Sequence, residues 1–95
     1  VPFLIRVTTN ARKDIQNAID WENGRSPGLG KRFFKDLQSK LNELSITPAI
    51  GSVRYENVRC TSTDIFSYMI HYFIDEHAQT ITLIRVLSSK QKPIY

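Results

Sequence analysis

The chain has 95 residues, 41% of them hydrophobic, a size that accommodates one domain over residues 1–95 and no second. Thirteen Lys and Arg against nine Asp and Glu give a formal charge of +4, which suits an acidic partner, either nucleic acid or an acidic protein segment. The single cysteine, Cys60, excludes an internal disulfide and a multi-cysteine zinc site, and no apolar run approaches the roughly 20 residues of a membrane helix. No basic–apolar–small signal segment opens the chain, so a soluble cytoplasmic protein is expected. The start at Val1, without methionine, reads as a trimmed end.

Phe3 to Thr8 alternates apolar and polar residues, as a half-buried strand does, with Phe3, Ile5 and Val7 on one side. Thr9 and Asn10 then offer side-chain oxygens that can cap a helix. Ala11, Ile15, Ala18 and Ile19 share one helical face, while Arg12, Lys13, Asp14 and Asp20 can stay in water; Gly24 is the expected stop. Ser26-Pro27 reads as a restart, because proline is tolerated at the first helical position. Leu29, Phe33, Leu37, Leu41 and Leu44 recur at helical spacing until Pro48 and Gly51, and Phe34 widens the stripe. Lys31, Arg32, Lys35, Asp36 and Lys40 cover the remaining surface of this second helix. Two helices joined by a few residues form an antiparallel hairpin.

The later half reads as strands. Val53 to Thr61 is one candidate, with Val58 and Cys60 on one side and Arg59 on the other. Ile65 to Asp75 carries bulky residues on both sides, as a central strand does. Asp75 to Gln79 is a polar loop, and Thr80 to Ser88 returns as the hairpin partner, with Ile81, Leu83, Arg85 and Leu87 assigned to one face. The order β-α-α-β-β-β implies an α+β fold: an N-terminal strand, a helical hairpin and a three-strand antiparallel meander. Trp21, Phe33, Phe34 and Phe73 are core candidates, and an exposed ring among them would point to a partner surface.

The order and its residues resemble the RelE/ParE family of toxins from bacterial type II toxin–antitoxin systems. The resemblance runs through Thr8-Thr9-Asn10-Ala11-Arg12-Lys13-Asp14-Ile15, then Trp21, then Ser26-Pro27-Gly28-Leu29-Gly30-Lys31-Arg32-Phe33. It continues through Pro48-Ala49-Ile50-Gly51 and Asn57-Val58-Arg59. Ile65-Phe66-Ser67-Tyr68-Met69-Ile70-His71-Tyr72 looks like the family's Phe-Pro-Tyr-x-Ile-x-Tyr strand, with Ser67 in place of proline, and Ile84-Arg85-Val86-Leu87 like its final strand. The resemblance implies a cognate antitoxin as partner, with a homodimer or a heterotetramer with antitoxin as the assembly; the lack of HExxH, of a phosphate-binding glycine loop and of a carboxylate cluster leads us to expect neither metal nor nucleotide cofactor. It also implies one of two targets, ribosome-bound mRNA or DNA gyrase, and the two long helices look more like the gyrase-directed branch.

If the chain is an enzyme, the resemblance implies a metal-independent endoribonuclease in which a ribose 2′-hydroxyl attacks the adjacent phosphate. Arg59 and Arg85 match positions where the family often has arginine, and guanidinium groups there would stabilise charge on the phosphoryl oxygens. Lys90 and Tyr95 would then complete the catalytic set. Against this, the family's His-x-x-Arg-Asp-Pro is here Ser88-Ser89-Lys90-Gln91-Lys92-Pro93, and serine without an activating neighbour is no general base. His71 reads as a structural histidine and His77 as a solvated loop residue. Lys31, Arg32, Lys35 and Lys92 form a candidate partner-binding set, either a solvated face or a dock for an acidic or gyrase surface. Three functions follow: a toxin that binds gyrase, a ribosome-dependent mRNA endoribonuclease, and a relic that only binds antitoxin. Outside the family, a basic RNA-binding domain is the remaining reading.

Overall fold

A computed structural model of the chain describes residues 2–89; Lys90, Lys92 and Tyr95 lie outside the described residues. The elements run β1 (Leu4–Val7), α1 (Thr9–Arg25), α2 (Leu29–Ile46), β2 (Ser52–Tyr55), β3 (Val58–Ser62), β4 (Tyr68–Asp75) and β5 (Thr80–Ser88). They build an α+β fold in which a helical hairpin lies on one face of a sheet ordered β1-β5-β4-β3-β2. The neighbours from β2 to β5 are antiparallel, and β1 pairs in parallel with β5, Leu4 opposite Thr80 and Val7 opposite Leu83.

The stretch expected as one strand from Val53 to Thr61 is a hairpin, β2 and β3, turned by Glu56 and Asn57. Glu56 takes φ 48°, a left-handed conformation in which a turn more often uses glycine or asparagine, so the break was not visible in composition. Ser67, standing where the family pattern has proline, sits at φ 58°. Proline is locked near −65° and could not occupy this corner.

The helix ends also differ from expectation. The Thr8 hydroxyl, one residue before the expected cap, accepts the Ala11 N–H at 3.2 Å. Helix α2 begins at Leu29 after Gly28 at φ 91°, so Ser26 and Pro27 belong to the connection. Its first turn is satisfied from the other helix, where the Asn23 amide oxygen accepts the Gly30 N–H at 2.8 Å.

The core lies between hairpin and sheet: Ala11, Ala18, Phe33, Leu37 and Leu44 against Tyr68, Ile70, Tyr72, Ile81, Leu83 and Val86. Ala11 and Ala18, one helical face apart by two turns, let α1 approach β5 closely. Polar side chains reinforce this layer, because a buried polar group is stable only with a partner. Glu22 is buried and accepts the Tyr68 hydroxyl at 2.8 Å and Arg25 at 2.7 Å. Burial and this carboxylate push the Tyr68 phenol well above its ordinary value. Asp36 accepts the N–H groups of Ile65 and Phe66, pinning the corner before β4. Lys40, assigned to the wet face by periodicity, is buried and pairs with Asp64 at 3.0 Å. No helix among the described residues is long and apolar enough to cross a membrane.

The packing of α1 against α2 leaves no room for a side chain at Gly30. A Cβ at Gly30 would lie 2.6 Å from the Ile19 carbonyl oxygen, a backbone atom that cannot swing away. Gly30→Ala should therefore destabilise the fold by about 1–3 kcal/mol in urea denaturation, despite the better helix propensity of alanine.

Candidate functional site

Side chains alternate across a strand, so the pairing register tells which residues share the face away from the helices. Tyr68, Ile70 and Tyr72 of β4 belong to the core, which puts Met69, His71 and Phe73 on the opposite, outer face. Cys60 of β3 pairs with His71 and joins that face, whereas Arg59 pairs with Tyr72 and turns toward the helical side. Along β5 the alternation expected from the sequence fails at one place. Leu83 is opposite Tyr72 but Arg85 is opposite His71, so Ile84 is an extra residue in a β-bulge. The bulge moves Arg85 off the face of Ile81 and Leu83, and Val86 takes the next core position.

Arg85 is there met by helix α1. Its Nε donates to Asp14 Oδ2 at 2.7 Å and its Nη2 to Asp14 Oδ1 at 3.0 Å, a two-pronged ion pair. Asp14 Oδ2 also accepts the Val86 N–H at 3.0 Å. The carboxylate holds the guanidinium still more firmly protonated than usual. Asp14, expected in water, is thus the partner of Arg85. Sequence gave one signal for it, its place in the segment from Thr8 to Ile15 that carries the family resemblance.

Around Arg85 the outer face gathers groups from three strands. The Tyr55 hydroxyl lies 3.2 Å from His71 Nδ1, and Cys60 Sγ lies 3.4 Å from the same nitrogen. His71 is 2% exposed; burial, then the Arg85 charge, lower its pKa, with Arg54 adding and Asp14 opposing. Burial pushes the Cys60 thiol up, so it stays protonated and unreactive near neutral pH. Arg54 and Tyr55 were not singled out in the sequence; a bulge in β2 between Val53 and Tyr55 turns them toward this cluster.

The residues expected to act together are not together. Arg59 and Arg85 were expected to act on one phosphate, but Arg59 lies on the helical side and donates through Nη1 to the Gly51 carbonyl at 2.7 Å. Tyr72 closes the same corner, accepting the Gly51 N–H and donating to the Pro48 carbonyl. Lys31, Arg32 and Lys35 are exposed along α2, and His77 is exposed in the β4–β5 turn. Of the four aromatic core candidates, Phe33 is fully buried and Phe73 half-buried, while Trp21 is 67% and Phe34 40% exposed.

The family model for the ParE toxin of the type II toxin–antitoxin system parDE matches residues 5–93. Three solved structures share the fold. One is the RelBE2 toxin–antitoxin complex from Mycobacterium tuberculosis, at 24% identity and TM-score 0.66, with 93% of this chain and 99% of that chain covered. Another is a chromosomal ParDE toxin–antitoxin system from P. aeruginosa, at 13% identity and TM-score 0.77, covering 90% and 95%. The third is the intact E. coli RelBE toxin–antitoxin complex, at 16% identity and TM-score 0.71, covering 94% and 99%. A comparison with curated protein sequences finds no match.

Two measurements check this geometry. Asp14→Ala leaves Arg85 and the Val86 N–H without their acceptor and should cost about 2–3 kcal/mol of stability, whereas Asp14→Asn keeps an acceptor oxygen and should cost about 1 kcal/mol. The lowered pKa of His71 also fixes a sign. Below about pH 6.5 the unfolded chain binds a proton that the folded one resists, so stability falls as the pH drops from there. His71→Gln should flatten that limb of a stability–pH curve between about pH 6.5 and 5.5, before carboxylates titrate.

Proposed function

The chain belongs to the family of ParE toxins of type II toxin–antitoxin systems, and on that footing we propose that it arrests growth by binding DNA gyrase and is silenced by a cognate antitoxin. The observation that carries this reading is the state of the two arginines. RNA cleavage through a 2′-hydroxyl needs guanidinium groups converging on one phosphate, with donors aimed at its oxygens. Here Arg85 spends two donors on Asp14 on one side of the sheet, and Arg59 spends one on the Gly51 carbonyl on the other. A binding toxin requires only a stable surface, and these bonds stabilise the frame beneath it. The replacement of the family's tail histidine by Ser88 points the same way.

A second reading, ribosome-dependent mRNA cleavage, draws on the outer face. Arg54, Tyr55, His71 and Arg85 bring two cations, a phenol and an imidazole together there. Such a set could hold a phosphodiester, with His71 as the proton carrier.

One experiment separates them. The chain is expressed alone from an inducible promoter, and plasmid supercoiling and transcript 5′ ends are followed together. Gyrase binding predicts relaxed plasmid, unchanged transcript ends, and full killing by Arg54→Ala and His71→Gln. New transcript ends within codons, normal supercoiling and loss of killing in both variants would establish cleavage instead. Normal growth on expression would leave only the antitoxin-binding role.

A further inference from the structure

His71 is enclosed on the outer face of the sheet, and the groups around it come from every element that meets it there. Among the described residues, the charged and titratable groups that reach it are Arg54 and Tyr55 from β2, Cys60 from β3, Arg85 from β5 and Asp14 from α1. The Tyr55 hydroxyl and Cys60 Sγ both lie against Nδ1 of the ring, and Arg85 is its cross-strand partner. Asp14 is the single acid of this set, and its carboxylate is taken up by Arg85 and the Val86 N–H. The Arg85 Nη1 amine has no acceptor among the described residues, because the bonds to Asp14 run from Nε and Nη2. Arg54 is exposed and makes no ion pair among those residues. While His71 is neutral, the charges of Arg85 and Asp14 cancel and Arg54 alone leaves the set positive. A proton on His71 adds a second positive charge, in a buried place where salt screens it little.

We infer that this cluster is a proton-gated site for a phosphate-type oxyanion, held by Arg54, the Arg85 Nη1 amine and the Tyr55 hydroxyl, with His71 behind them as the switch. Guanidinium donors match the oxygens of phosphate and sulfate, and no unpaired acid faces the cluster to attract a cation instead. His71 acts through the phenol beside it. A neutral ring accepting at Nδ1 holds the Tyr55 proton inward; a protonated ring donates there, and the phenol O–H can turn outward to the anion. The inference rests on the part of the cleavage reading in which this cluster holds a phosphate, and it requires no bond to break.

Sulfate is the probe, because it stays doubly charged across the pH range in which histidine titrates. It is titrated into the wild-type chain at about pH 5 and about pH 7.5, against chloride at equal ionic strength, with the ring protons of His71 and His77 followed by NMR. Sulfate should bind about fivefold tighter at the lower pH and raise the midpoint of the His71 titration, since proton and anion favour each other reciprocally. His77, exposed in the β4–β5 turn, should keep its midpoint. His71→Gln should abolish the acid enhancement, and Arg54→Ala, a change at an exposed side chain, should weaken sulfate about fivefold at both pH values. No sulfate binding, equal affinity at the two pH values, an acid enhancement that survives in His71→Gln, or unchanged affinity in Arg54→Ala would each overturn the inference. A deoxydinucleotide, which has no 2′-hydroxyl to react, forms a second arm of the titration. Tighter binding than sulfate assigns the site to a nucleic-acid phosphodiester, and equal or weaker binding assigns it to a free oxyanion. Transcript 5′ ends decide the cleavage reading separately, so uncut transcripts together with acid-enhanced sulfate binding would sink that reading and uphold this one.

Discussion

Strand β1 covers β5 only from Thr80 to Leu83, and beyond that point β5 has no strand on that side and is covered by helix α1 instead. Helix α1 closes the gap. The Thr8 N–H donates to the Leu83 carbonyl, the Thr8 hydroxyl to the Ile84 carbonyl, and Asp14 takes the Val86 N–H. A buried edge without partners costs on the order of 1–3 kcal/mol per orphaned group, so these bonds offset much of the penalty of laying the hairpin over this edge. Arg85 supplies the countercharge that makes a carboxylate tolerable there. The smallness of Ala11 and Ala18 supplies the close approach.

The same contact shapes both faces of the sheet. The β-bulge at Ile84 lets Arg85 reach Asp14 and keeps Val86 in the core, so one irregularity serves both the edge and the packing. It also places the guanidinium in a two-pronged pair with the Asp14 carboxylate. Arg59, on the opposite face, is committed in the same manner at the corner that Tyr72 and Gly51 build. Both arginines thus tie strands to their surroundings, Arg85 to helix α1 through Asp14 and Arg59 to the Gly51 carbonyl.

The flanks of the helices are uneven because the polar ties between hairpin and sheet are uneven. Glu22 to Tyr68, Asp36 to the Ile65–Phe66 backbone and Lys40 to Asp64 all run from the helices to β4 or the corner before it. Among the described residues no corresponding tie closes the side where Val7, Ile15, Ile19 and Phe34 meet, and an apolar groove stays open there.

The helical hairpin, the strand before it and the long hairpin at the end were legible from the sequence, because each repeats a period over enough residues to be read locally. Leu29 to Leu44 keeps helical spacing through five positions, and Tyr68 to Asp75 keeps strand alternation through eight residues. The turn at Glu56, the left-handed corner at Ser67 and the bulge at Ile84 were not, since each uses an ordinary residue in a conformation that only its neighbours impose. One extra residue in β5 reversed the predicted face of Arg85, and the pairing of β3 with β4 put Arg59 on the other side. Asp14 looked like a solvated helix residue because nothing within its own helix reveals that a strand 71 residues later ends up beside it. Periodicity reports what a segment buries; which partner meets a charged side chain is decided by contacts distant in the chain, and those exist only once the sheet has closed.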